Sequence, residues 1–99
     1  MKWDIQAVNF TMKPELTDYC KEKIEGLSKY YSKIVGAEVY LKLGQSAEHN
    51  KIVEIKLNIP GNDLFAESSS PKFEGSINDA VDKLKAQLRK LKTKMASSH

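Results

Sequence analysis

The chain has 99 residues, of which 40% are hydrophobic and 29% charged; this fits one globular domain and excludes a disordered chain. A domain of this size buries a modest core and has no room for a deep substrate cavity. The formal net charge is only +3, so where the charges sit says more than their sum.

Residues 2 to 8 alternate, with Trp3, Ile5 and Ala7 on one side and Lys2, Asp4 and Gln6 on the other, as in a half-buried strand. Pro14 opens a helix, where its missing N–H is no loss. Leu16, Cys20, Ile24, Leu27 and Tyr31 then form one apolar stripe. Tyr30 falls beside that stripe and reads as free for a surface contact. Gly26 interrupts the helix. Gly36 marks a break, and Val39, Leu41 and Leu43 alternate with Glu38, Tyr40 and Lys42 in a second strand. A polar connection, Gly44 to Asn50, leads to a third strand, in which Val53, Ile55, Leu57 and Ile59 alternate with Glu54, Lys56 and Asn58. Pro60-Gly61-Asn62-Asp63 is a turn. A short fourth strand follows from about Leu64 to Ser68, with Leu64 and Ala66 inward. After Ser70-Pro71, a long helix carries Phe73, Ile77, Val81, Leu84, Leu88, Leu91 and Met95 on one face.

The order β-α-β-β-β-α predicts an α+β fold. A right-handed crossover makes the first two strands parallel if they are neighbours, and the short connections make the last three an antiparallel meander. Each strand has one apolar face and each helix one apolar stripe. Two helices packed on one face of a four-stranded mixed sheet satisfy both, an arrangement like that of double-stranded RNA-binding domains.

The last helix is strongly basic. From Asp82 to Met95 it holds Lys83, Lys85, Arg89, Lys90, Lys92 and Lys94 against Asp82 alone, so the rest of the chain is net negative. Lys83, Lys90 and Lys94 share one flank, and Lys85, Arg89 and Lys92 the opposite flank and crest. The first helix adds Lys23, Lys29 and Lys33. Such a cluster suits phosphate binding through counterion release. Lysines on a solvated helix face, near its C-terminal dipole, are the plainer explanation. The residues alone leave both readings open.

Nothing points to catalysis. Cys20 is the only cysteine, which excludes an intrachain disulfide and a multi-cysteine zinc site, and its place on a core stripe makes it a packed thiol. His49 and His99 form no ligand-spaced pair, and no Gly-rich phosphate loop is present. The expectation is a non-enzymatic domain without cofactor, metal or small-molecule substrate. Met1-Lys2-Trp3-Asp4 carries no signal-peptide core, and no run of about 18 apolar residues exists, so a cytoplasmic location and no membrane are expected.

Asp82-Lys83-Leu84, Gln87-Leu88, and Lys90, Lys92 and Lys94 resemble the C-terminal helix of the ribosome hibernation-promoting factor and ribosome-associated inhibitor family, also called sigma-54 modulation proteins. The resemblance extends to Pro14-Glu15-Leu16, the segment from Lys23 to Ile34, Ala66 and Ile77-Asn78-Asp79. It implies binding to the small ribosomal subunit and its 16S RNA in the mRNA and tRNA channel, with inhibition of translation in starvation or stationary phase. The chain is similar to the family's short form. Residues 1–95 would be one ribosome-binding domain, a monomer when free, and 96–99 a short tail. The cations named above would be its RNA contacts. Ala86 stands where the family commonly has Arg, Gly26 where a Lys is common, and Lys72-Phe73-Glu74 replaces an Asp-Met-Tyr-like start. Two rivals remain. One is a generic duplex-RNA module, whose contacts use the start of the last helix; Pro71 to Ala80 offers only Lys72 there, against Glu74 and Asp79. The other is a protein-interaction regulator without RNA. Tyr40 and Phe65, outward on the sheet, could stack on bases but read more simply as cross-strand packing.

Overall fold

A computed structural model describes residues 1–96, with side chains as far as Thr93. The expectations placed on the side chains of Lys94 and Met95 and on residues 97–99, His99 included, lie outside the described residues, while Ala96, expected in the tail, is the last residue of α2. The elements are β1 (Lys2–Val8), α1 (Pro14–Tyr30), β2 (Gly36–Leu43), β3 (Lys51–Asn58), β4 (Leu64–Ser70) and α2 (Phe73–Ala96). The sheet order is β1-β2-β3-β4, with β1 parallel to β2 and the other pairs antiparallel. The predicted α+β arrangement is therefore present.

Register explains the single core. Ile5, Val39, Ile55 and Ala66 lie in one row across the four strands, on the face that the helices cover. Against them pack Cys20, Ile24 and Leu27 of α1 and Ile77, Ala80, Leu84 and Leu88 of α2, all essentially excluded from water. Each leucine and isoleucine among them contributes about 1.5–3 kcal/mol relative to an exposed one. The inward row of β4 continues past Ala66 to Ser68, which is buried because its hydroxyl bonds the Asp79 carboxylate on α2.

Three local expectations change. Gly36 does not break the chain before β2 but starts the strand, between Lys2 and Asn58. A Cβ there would lie 3.0 Å from both the Lys2 carbonyl oxygen and Asn58 Oδ1, so a larger residue would have to push these neighbours back by a few tenths of an ångström. Leu43 ends β2 and is 50% exposed, although it continues the inward alternation. α1 stops at Tyr30, and Tyr31 is its extended C-cap, with its amide donating to the Leu27 carbonyl. Tyr31 still packs against the core as its place on the stripe suggests. The Pro60-Gly61 turn is as read: Gly61 has φ +84, and the Asn62 amide reaches the Ile59 carbonyl.

Candidate nucleic-acid interface

The two helices run in the same direction. Phe10, just before α1, stacks on Phe73 at the start of α2, with ring centroids 5.1 Å apart. Further along, the Tyr19 hydroxyl donates to Asn78 Oδ1 at 2.9 Å. At the far end, Tyr30 meets Lys85 and Lys92. Both helix C-termini therefore lie at one end of the molecule, where partial negative charge on the last carbonyls favours cations.

Along the seam, α1 presents Tyr19, Lys23, Gly26 and Tyr30 at helical spacing. Lys23 Nζ sits 5.3 Å from the Tyr19 ring centroid. Lys85 Nζ lies 5.4 Å and Lys92 Nζ 4.3 Å from the Tyr30 ring, and Lys92 also donates to the Tyr30 carbonyl at 3.1 Å. Tyr30 is half-buried against the core under two ammonium groups, so the reading of it as a free surface residue is corrected. The side chain takes this position because Lys85 and Lys92 lie on the flank of α2 that faces α1. Gly26 leaves a gap in the same row: a Cβ there would touch nothing within 4 Å.

The remaining cations divide by position. Lys29, Lys33, Arg89 and Lys90 are exposed, with no hydrogen-bond or ion-pair partner among the described residues. Lys83 is different. Its ammonium donates to the Glu67 carbonyl at 2.8 Å and lies 3.7 Å from Asp79 Oδ2. Sequence reasoning treated Lys83 like the other lysines and named Gln87 only within the family resemblance, with no role of its own; its Nε2 donates to the Phe65 carbonyl at 2.9 Å.

The uncovered face of the sheet has another character. Two of its rows are Asp4, Glu38, Lys56, Phe65 and Gln6, Tyr40, Glu54, Glu67. Two of its lysines are engaged: Lys42 pairs with Glu54 at 2.8 Å and Lys56 with Asp63 at 3.6 Å. The hydrogen bond from Lys42 holds the Glu54 carboxyl below its ordinary pKa and raises that of Lys42. Tyr40 and Phe65 thus stand among carboxylates, which repel a polyanion. The described residues contain no group of three or more His, Cys, Asp or Glu arranged to hold a metal ion. No described helix is long and apolar enough to cross a membrane.

Known proteins are similar to this chain in sequence and in fold. The family model for "Sigma 54 modulation protein / S30EA ribosomal protein" matches residues 3–96. The ribosome hibernation promotion factor of Deinococcus radiodurans is 31% identical over 94 residues, covering 93% of this chain and 49% of that protein. Its Bacillus subtilis counterpart is 30% identical, covering 96% of this chain and 50% of its own length. The chain thus spans about half the length of these relatives. The ribosome hibernation promoting factor of Pseudomonas putida is 29% identical, with 98% of this chain and 92% of that protein covered. Among solved structures, a ribosomal subunit interface protein from Coxiella burnetii superposes with a TM-score of 0.82 at 19% identity, covering 94% of this chain and 99% of that one. The Thermus thermophilus Protein Y N-terminal domain gives 0.77 at 25% identity, covering 92% and 99%. The chain belongs to the sigma 54 modulation protein / S30EA ribosomal protein family.

Proposed function

We propose that this chain is a non-catalytic ribosome hibernation factor. In this reading it docks on the small ribosomal subunit, sets its basic end against 16S ribosomal RNA in the mRNA and tRNA channel, and keeps translation off during starvation or stationary phase. The site of action is cytoplasmic, and the free protein is a monomer needing no cofactor.

The observation that carries this reading is the convergence of cations where both helices end. Lys23, Lys85 and Lys92 line the seam over tyrosine rings, and Lys29, Lys33, Arg89 and Lys90 project from the same end with no internal partner among the described residues. Lys94 belongs to this set by its place in the sequence. A polyanion held here releases counterions from several phosphates at once. The acidic sheet face on the other side orients the approach. The mechanism is occupancy: a rigid wedge fills a channel and excludes the other nucleic acids that use it.

Co-sedimentation with separated ribosomal subunits across a salt series tests the proposal. Salt-sensitive binding to the small subunit, competed by tRNA and mRNA, is the expected result. Equal binding to any duplex RNA would make the chain a generic duplex-RNA module, and no binding at low salt would remove RNA from the account.

A further inference from the structure

β4 is an outer strand of the sheet, so its far edge pairs with no other strand among the described residues. A bare edge offers unpaired backbone groups to any extended chain. Here two side chains of α2 reach over it. Lys83 Nζ donates to the Glu67 carbonyl at 2.8 Å, and Gln87 Nε2 to the Phe65 carbonyl at 2.9 Å.

The spacing makes this a fitted contact. Helix residues four apart are separated by about 6 Å along the axis. Strand residues two apart are separated by about 6.6–6.8 Å, and their carbonyls point to the same edge. Donors at 83 and 87 therefore meet alternate carbonyls of β4. Asp79, one helical turn earlier, continues the row: it accepts from the Ser68 hydroxyl and faces Lys83.

We propose that Lys83 and Gln87 form a clasp that closes the β4 edge against a second copy of this chain and fastens α2 in position, rather than acting as RNA ligands. A second copy is the occupant excluded because an edge strand is self-complementary about a two-fold axis. Phe65, 54% exposed beside that edge, would gain cover in such a pair. The statement about RNA rests on the function proposed above; the statement about the edge does not.

Lys83→Met and Gln87→Met, singly and together, test the clasp, with Lys90→Met as comparison. Methionine keeps the apolar stem and removes the donor. Sedimentation velocity at rising concentration should show self-association of the double variant, with slowed hydrogen exchange at the Phe65 and Glu67 amides. The wild type and Lys90→Met should stay monomeric. In small-subunit binding, Lys90→Met should flatten the log–log salt slope by about 0.9, the value for one lost phosphate contact, while Lys83→Met leaves the slope unchanged. A folded double variant that stays monomeric overturns the clasp, as does a slope change for Lys83→Met equal to that of Lys90→Met. If the double variant does not fold, the slope of Lys83→Met decides. If no protein binds ribosomes, the proposed function fails and self-association alone decides the clasp.

Discussion

Lys92 grips Tyr30 twice: its ammonium lies 4.3 Å from the ring centroid and donates to the same residue's carbonyl at 3.1 Å. Lys85 sits over the same ring at 5.4 Å. One tyrosine at the end of α1 thereby holds two cations of α2 and ties the helices together at their basic end. Like charges gathered for a ligand repel one another in its absence. A ring face and a helix C-terminus offset that repulsion without neutralising either charge.

Tyr30→Leu should therefore weaken ribosome binding several-fold while leaving its salt slope intact, since every cation remains. Thermal unfolding should show a loss of about 1 kcal/mol, the scale of a partly exposed cation–π contact. Tyr30→Phe retains the ring and the backbone carbonyl and should behave as wild type in both measurements.

Gly26 is the second position where the seam can be tuned. It is exposed in the middle of α1, and an added Cβ meets nothing within 4 Å. Gly26→Ala should stabilise the protein by about 1 kcal/mol in chemical denaturation, the helix penalty of glycine. Gly26→Lys should give a similar gain and also add a cation between Lys23 and Tyr30, which steepens the salt dependence of ribosome binding. An unchanged slope for Gly26→Lys would place this part of the seam away from RNA.

Cys20 is a buried thiol in the core, and burial pushes its pKa up from 9.0 to about 12. The thiolate is the reactive form, so native protein should resist alkylation at neutral pH and react only at the rate of unfolding. The linkage has a definite sign. The folded pKa is raised, so above pH 9.0 the unfolded chain loses this proton first, and Cys20 should make stability fall as pH climbs toward about 12. Comparing Cys20→Ala with wild type over that range isolates the contribution: only the wild type should show this part of the decline.

Alternation and helical stripes were enough to read the element order, the helix-covered face and the basic character of α2. They report which face a residue occupies, and the core follows directly from that. They do not report what lies beside a flank. Lys83 and Lys90 share a flank of α2 in the sequence, yet Lys83 reaches the Glu67 carbonyl while Lys90 remains in solvent. The difference comes from where β4 ends relative to the helix, which is a tertiary fact. Leu43 shows the same limit at a strand end: its alternation points inward, but it is half exposed. The clasp did leave a trace in the chain, a Lys and a Gln four apart opposite a strand whose carbonyls repeat every two residues. Reading it required knowing that β4 is an edge and that α2 lies along it.

The most direct test of the central claim is small-subunit binding by Arg89→Gln/Lys90→Gln across a salt series. Both side chains are exposed and without internal partners among the described residues, so the fold should be unchanged. The account predicts weaker binding at every salt concentration and a log–log slope flattened by about 0.9 for each lost phosphate contact. Wild-type affinity and slope in the folded double variant would contradict it.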